Sequence, residues 1–350
     1  VKRIVAILPS LAGGGAERVM LTLLGGLDRQ RFDPQLVLLD RSGPLESALP
    51  TDIPVIDLKR PRLSRAMPSL LFTLRRLRPD VTFSTLGYIN LGLLAMRGLF
   101  PGRVVIREAN LPSLSLPHSH HPDMMTLGYR YLYRRADRVL ATSRRMADEL
   151  SGLGVAFGKL AILSNPVPVT ALRLRAITPC RLPGDGLRLV VAGRLTEQKG
   201  FDRLLPLLSG MADLRLLILG EGPLRDSLED LARQHGVAVE MPGFVDNAPA
   251  WFAGADAVLL PSRWEGMPNT ALEALACGTP VIATPEAGGI AEVAAATPAV
   301  RVVPMGDGFA AAIQAIVPRG ESTLRPSVLP AIYDADTVGR QFADYLENVS

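Results

Sequence analysis

Two glutamates, Glu265 and Glu273, stand with seven residues between them around the turn Pro261-Ser262-Arg263-Trp264-Glu265-Gly266-Met267-Pro268-Asn269. A β-rich run, Ala257–Leu260, leads into this turn, and a helical pattern starts at Thr270, with Asn269 placed to cap it and Pro268 to start it. A helix beginning at a strand's carboxyl end leaves free N–H groups, which suit a diphosphate or sugar hydroxyls. Glu273 is expected in the first helical turn, able to accept from two neighbouring hydroxyls such as a ribose diol. Its plain alternative is stabilisation of the helix dipole; for Glu265 it is a solvated loop charge. A second group, Gly193-Arg194-Leu195 and Lys199-Gly200, follows the run Arg188–Ala192. Gly193 permits close approach, and Arg194 and Lys199 would reach the same space. Lysine is scarce here, four against 34 arginines, which sets Lys199 apart from an ordinary solvated basic loop.

The third group, Pro9 to Arg18, holds Gly13-Gly14-Gly15 between the first strand and first helix and can bring amides against an anion. It lacks the spacing of a dinucleotide fingerprint and the Lys-Ser/Thr of a P-loop. Gly220-Glu221-Gly222-Pro223 also fails as a fingerprint, because Arg225 occupies the third glycine position. Asp334-Ala335-Asp336 precedes the last helix and reads as a cap or turn rather than a metal pair. His118, His120 and His121 lie in a Pro-flanked loop and read as solvated, not as a zinc site. No metal is expected.

The elements that must position these residues alternate strand and helix twice. In the first half the β-rich runs are Arg3–Leu8, Gln35–Leu39, Val55–Asp57, Asp80–Ser84, Arg103–Arg107 and Arg138–Ala141, interleaved with helical patterns such as Ala16–Leu27 and Met125–Arg134. The second half repeats the plan with Arg188–Ala192, Arg215–Leu219, Val237–Met241, Ala257–Leu260, Val281–Ala283 and Val300–Val303. Such alternation implies parallel sheets covered on both faces. The expected domains are 1–165, a linker 166–186 containing Pro166, Pro168, Pro179, Pro183, Gly184 and Gly186, and 187–330. A C-terminal helical segment, 331–350, is expected to pack back towards the N-terminal domain. Ligands of doubly wound sheets bind at the carboxyl ends of the strands, so the cleft between two such domains is the expected site.

A length of 350 residues with 48% apolar and 21% charged residues supports two real cores and excludes disordered and low-complexity classes. No run of about 18 uncharged apolar residues is present, and Ile4–Leu8 is too short for a signal-peptide core. Cys180 and Cys277 offer neither a disulfide framework nor a zinc site. Residues 1–170 carry 23 basic and 13 acidic side chains, whereas residues 171–350 carry 15 and 21. A basic half points to an anionic partner. Nucleic acid is not expected, since aromatics are only 5% and no nucleic-acid fold signature is present. Met67–Arg78 places Met67, Leu70, Leu71, Leu74 and Leu77 at helical spacing beside Arg65, Arg75, Arg76 and Arg78. It reads as an ordinary amphipathic surface helix or as one lying on an anionic membrane.

Taken together, Gly13–Arg18, Arg194, Lys199, Gly220–Pro223, Pro242-Gly243-Phe244 and the Glu265/Glu273 pair resemble the GT-B glycosyltransferases of family 4, over essentially the whole chain and most strongly in 186–295. The resemblance implies an α/β fold of two doubly wound Rossmann-like domains facing each other across a cleft. It implies that Arg194 and Lys199 hold the donor diphosphate, that Glu265 contacts the donor sugar and that Glu273 takes the ribose. Gly243, Phe244 and Val245 would flank the base. Gly193, Gly14, Gly15 and the turn Gly266, Met267, Pro268, Asn269 and Thr270 would complete the sugar–phosphate pocket. Many members carry a His after the strand matching Arg103–Arg107. This chain reads Arg107-Glu108-Ala109-Asn110, similar to the Glu-Arg-Asn variant of glycan-assembly members, which makes Glu108 the candidate for that role. Glu17, Arg18, Asn110 and His118 are acceptor-side candidates.

The expected activity is retaining transfer of a sugar from a nucleotide diphosphosugar, a UDP-sugar, to a hydroxyl of a glycan or polyprenyl-linked acceptor. The nucleotide sugar is a co-substrate; no other cofactor is expected. A cytoplasmic enzyme, peripheral on the inner face of the plasma membrane, fits the basic first half. The rivals are a nucleotide-sugar epimerase of the same fold and a non-catalytic partner subunit.

Overall fold

A computed structural model describes residues 1–181, 186–211, 213–320 and 323–349. The chain divides into two compact units, Val1–Pro166 with Asp334–Ser350, and Val167–Tyr333.

The first unit is built on a seven-stranded sheet. Its strands are β1 (Lys2–Leu8), β2 (Phe32–Leu38), β3 (Val55–Asp57), β4 (Val81–Thr85), β5 (Arg103–Arg107), β6 (Arg138–Ala141) and β7 (Leu160–Ile162), arranged in the order β3-β2-β1-β4-β5-β6-β7. Every pairing is parallel. Successive side chains of a strand point to opposite faces. Accordingly Ile4, Ala6 and Leu8 enter the core beneath helix Gly15–Gly25, while Val5 and Ile7 enter the one beneath Leu63–Leu77, Gly87–Ala95 and Pro122–Leu132. The last helix, Ala335–Glu347, belongs to the first of these layers: Val338, Phe342 and Leu346 are fully buried, and the Phe342 ring lies 4.9 Å from that of Phe83. Asp334 caps that helix by accepting from the Asp336 amide, 3.0 Å.

The second unit repeats the plan with β8 (Leu187–Ala192), β9 (Leu214–Leu219), β10 (Val239–Gly243), β11 (Ala257–Leu260), β12 (Val281–Ala283) and β13 (Val300–Val302), in the order β10-β9-β8-β11-β12-β13. Both sheets therefore reverse strand order once, between β1 and β4 and between β8 and β11, the places where open parallel sheets form a crevice.

Three features differ from the reading by pattern. β7 is an edge strand of three residues, too short to show periodicity. Where composition suggests linker, Val169–Arg175 forms a helix. Leu172 is buried in the second core, and the Arg173 guanidinium donates to the carbonyls of Ala276 and Arg325. Of the other expected linker residues, Pro183 and Gly184 lie outside the described residues. Finally, the apolar stripe of Leu63–Leu77 is not a free face. Ala66, Leu70 and Leu74 are fully buried, with Met67, Leu71 and Leu77 packed against the same core. Among the residues that helix leaves exposed are Phe72, 67% exposed, and Arg65, Arg75 and Arg76.

Candidate active site

In the second unit the exits of β8, β9 and β10 are stitched together by backbone. The Gly193 amide donates to the Leu219 carbonyl (2.9 Å), the Gly220 amide to Gly243 (2.8 Å) and the Leu195 amide to Glu221 (2.9 Å). Only glycine permits this spacing. A Cβ on Gly220 (φ +135°) would fall 2.0 Å from the Gly193 carbonyl oxygen, and one on Gly193 would fall 2.8 Å from Lys199 Cε. The glycines that fail as a dinucleotide fingerprint thus serve close packing of strand exits. Phe244, next after Gly243, is 53% exposed, and Val245 packs on the core behind it.

Lys199 ends a short turn, Glu197–Lys199, and its ammonium donates to Glu265 Oε1 at 2.5 Å. The Ser262 hydroxyl donates to the same oxygen, 3.0 Å. Glu265 is therefore a buried, held carboxylate and not a solvated loop charge: it is 7% exposed. Arg194 is the opposite case, exposed, with no acidic partner among the described residues. The turn that carries Glu265 is braced from behind. The Arg263 guanidinium grips both oxygens of Asp202, and this pairing holds the Asp202 carboxyl below the ordinary carboxylate range. Arg203 donates to the carbonyls of Pro261 and Ser262, with burial lowering its own pKa.

A second brace comes from a segment that pattern reading passes over. The Glu265 amide donates to the Glu286 carbonyl (3.1 Å), and the Gly289 amide donates to the Gly266 carbonyl (2.7 Å). Gly288 adopts φ +66°, and a Cβ there would meet the Glu265 and Gly266 carbonyl oxygens at 2.4 and 2.3 Å. The signal for it was the paired glycine after β12.

The helix after this turn corrects two details. It spans Asn269–Ala276 with Pro268 at the cap position, so Asn269 is its first helical residue and not the cap. Its first turn holds no acid; Glu273, half-buried, lies in the second turn, out of reach of a simple dipole role. The Thr270 hydroxyl donates to the Ala192 carbonyl at 3.3 Å, tying the helix start to the β8 exit. Met267 and Gly266 are buried beside it.

The remaining candidates belong to the first unit. Gly14 precedes helix Gly15–Gly25 in an extended conformation, with Gly15 and Arg18 exposed. Glu17 folds back over Gly14, where a Cβ would lie 2.3 Å from its Oε2. Its charge, after burial, raises the phenol of Tyr88. His118, His120 and His121 lie in or beside a short surface turn, and among the described residues no three His, Cys, Asp or Glu side chains gather as a metal set. Asn110 is half-buried. Glu108 is 2% exposed and turned into the unit, where Tyr129 and Tyr133 donate to its Oε2 at 2.8 and 2.5 Å. Burial pushes its carboxyl up, partly offset by these donors.

Two sheets with this strand order, glycine-lined strand exits and a cation–carboxylate pair at the second switch point define a two-domain α/β protein of the Rossmann type. The pattern described as Glycosyltransferase Family 4 matches residues 13–171, and that described as Glycosyl transferases group 1 matches residues 186–318. The chain belongs to this family of glycosyltransferases, and its fold is GT-B. Among curated relatives, a Campylobacter jejuni enzyme is 29% identical over 300 residues, covering 81% of this chain and 80% of that protein. Its name is N-acetylgalactosamine-N,N'-diacetylbacillosaminyl-diphospho-undecaprenol 4-alpha-N-acetylgalactosaminyltransferase. The Escherichia coli colanic acid biosynthesis glycosyltransferase WcaL, a putative assignment in its own name, is 33% identical over 174 residues, 46% of this chain and 42% of that protein. Among solved structures, Anabaena HepE in complex with UDP and glucose superposes with a TM-score of 0.78 at 18% identity, over 99% of this chain and all of that one. Sucrose-phosphate synthase from Thermosynechococcus elongatus gives 0.73 at 18% identity, over all of this chain and 95% of that one.

Proposed function

We propose that this glycosyltransferase moves a sugar with retention from a UDP-sugar to a hydroxyl of a lipid-linked glycan, in polysaccharide or glycoconjugate assembly. The observation that carries the reading is the Lys199–Glu265 pair at the β8/β11 switch point. An ammonium has three donors. One is spent on Glu265, which leaves two for diphosphate oxygens, while Glu265 Oε2 is left to accept a sugar hydroxyl. Arg194 adds a second cation, so the charge that appears on the departing nucleoside diphosphate meets fixed positive groups without the help of a metal ion. Glu273 accepts from the ribose, and Phe244 with Val245 flanks the base. Amides of Gly266 and Asn269 line the sugar–phosphate pocket. HepE's bound UDP supports the choice of nucleotide, and the Campylobacter relative's name supports a polyprenyl-diphosphate acceptor.

An anionic membrane surface suits such an acceptor, on the cytoplasmic side where nucleotide sugars occur. No helix among the described residues is long and apolar enough to cross a bilayer. The surface we favour is the outer side of the helix layer of the first unit, where Phe72, Leu99, Met124, Leu127 and Tyr131 are exposed. Arginines lie beside two of these residues: Arg75 donates to the Leu99 carbonyl, and Arg134 lies over the Tyr131 ring.

A thermal-shift panel of nucleotide sugars tests the donor. UDP and one UDP-sugar should stabilise the protein, by about 2.7 kcal/mol at a hundred times Kd, and turnover should survive a chelator. No response to any nucleotide would favour a non-catalytic subunit. Release of an epimerised nucleotide sugar would favour the epimerase.

A further inference from the structure

The strand exits of the first unit hold a buried polar cluster that sugar transfer, as derived above, does not use. Glu108 follows β5, and each of its oxygens accepts two bonds. Oε1 takes the amides of Ala109 (3.0 Å) and Asn110 (3.4 Å), and Oε2 takes the hydroxyls of Tyr129 and Tyr133. The two phenol rings stack with centroids 4.1 Å apart. Behind them Asn90 donates to the Arg107 carbonyl (2.9 Å) and to Tyr133 Oη (3.3 Å), and accepts from Ser84 (2.7 Å). Glu108, Ser84, Asn90 and Tyr133 are all 2% exposed or less.

The fold gives up local comfort to make this cluster. A Cβ on Gly87 would fall 2.1 Å from the Tyr129 hydroxyl oxygen, so that hydroxyl reaches Glu108 only because residue 87 has no side chain. The residue before it, Leu86, is held at φ +75°, a conformation that disfavours every residue but glycine. Burying a carboxylate is unfavourable unless its lone pairs are met. Four donors converging on one carboxylate, beside a strained residue and a glycine without room for a methyl group, fix a unique arrangement of three elements: the β4 exit, the β5 exit and helix Pro122–Leu132.

We propose that Glu108 is a positioning residue that touches neither donor nor acceptor: its carboxylate clamps the β5 exit loop, Ala109–Asn110, to Tyr129 and Tyr133, so that Asn110 is presented from a fixed backbone. The half-exposed Asn110, whose own amide the clamp holds, is then the acceptor-side group of this loop. The clamp itself stands on this geometry alone; only its consequence for turnover rests on the transferase reading above.

The test uses the full chain with Glu108→Gln, Glu108→Ala, Tyr133→Phe, Gly87→Ala and the double variant Glu108→Ala/Tyr133→Phe. Amide hydrogen exchange of segment 109–111 reads the clamp directly. Turnover of the UDP-sugar found by the panel, and UDP affinity, read its consequence. Gln keeps the shape and the acceptor oxygen for the two amides, so exchange and turnover should stay within about threefold of wild type. Glu108→Ala, Tyr133→Phe and Gly87→Ala should each speed exchange and lower turnover by roughly ten- to a hundredfold, with UDP affinity unchanged. The double variant should be no worse than Glu108→Ala, because the two residues act as one unit. A loss of about a thousandfold in Glu108→Gln with exchange unaltered would overturn the proposal and make Glu108 a group that meets the reacting atoms. Unchanged exchange in Glu108→Ala, or turnover within threefold in all variants, would overturn it too, leaving a merely structural cluster. If no UDP-sugar is turned over, the functional reading fails, while the exchange arm still decides the clamp.

Discussion

Lys199 and Arg194 carry the same charge in different settings, and their substitutions should differ accordingly. Lys199 is paired at 2.5 Å with a buried carboxylate, whereas Arg194 is exposed. Arg194→Ala should lower kcat by about 10² with folding intact, as loss of one preorganised charge does. Lys199→Ala should cost more, about 10³, because it also leaves Glu265 buried without its cation. Equal, few-fold effects on kcat would remove both from the diphosphate. Glu108 gives a test by pH. Its carboxyl lies above the ordinary 4.5 because of burial. Just above that value the folded chain keeps a proton that the unfolded chain has released. The stability linked to that proton is full below pH 4.5 and is lost as pH rises through the folded value. Glu108→Gln cannot ionise, so its melting temperature relative to wild type should climb as pH rises from about 4.5 through the folded value. A relative melting temperature that falls over that range would show the four donors outweighing burial.

At the scale of elements, the turn between β11 and its following helix depends on Gly288 as much as on its own residues. Gly288→Ala should force the Glu265–Gly266 backbone aside, with strain of about 1–3 kcal/mol, and weaken UDP binding. Gly308 serves as a control: it sits in helix Asp307–Gln314 with no positive φ, and a Cβ there would meet nothing within 4 Å. Gly308→Ala should be neutral or stabilising by about 0.4–1 kcal/mol. Titration with UDP and thermal melts check both, and equal UDP affinity in the two variants would remove the brace. The long strands and amphipathic helices were legible because burial on one face imposes a period on the residues. β7, Val169–Arg175 and the Glu286–Gly289 brace were not, since three to seven residues hold too little periodicity and backbone hydrogen bonds leave no trace in side-chain type.

For the whole molecule, charge is distributed by half, and residues 60–135 alone hold twelve arginines against three acids. A basic side chain near an anionic leaflet contributes about 1 kcal/mol, so several together with exposed apolar residues suffice for reversible binding. The protein should bind vesicles containing phosphatidylglycerol, bind neutral ones weakly, and be released as salt shortens the Debye length from about 8 Å at physiological ionic strength to about 3 Å at 1 M. Phe72→Ser with Arg76→Glu and Arg130→Glu should abolish binding while UDP affinity stays unchanged, because none of these residues belongs to the second unit, where the nucleotide is proposed to bind. Flotation with vesicles decides this; equal partition onto neutral and anionic lipid would remove the surface.

The sequence by itself determined the class. Alternating strands and helices can bury their faces only as covered parallel sheets, and Gly193, Lys199, Glu265 and Glu273 single out the strand exits proposed to take the sugar donor. The tertiary structure alone decided which side of each element is occupied. Leu70 and Leu74 read the same whether a membrane or a core covers them, and only packing shows that the core does. The groups that meet Glu108 are likewise hidden until Tyr129 and Tyr133, more than twenty residues away, are seen to donate to it. Spacing along a chain records periodicity within an element, but a contact between elements depends on strand order and helix placement, which come into being only when the whole sheet assembles.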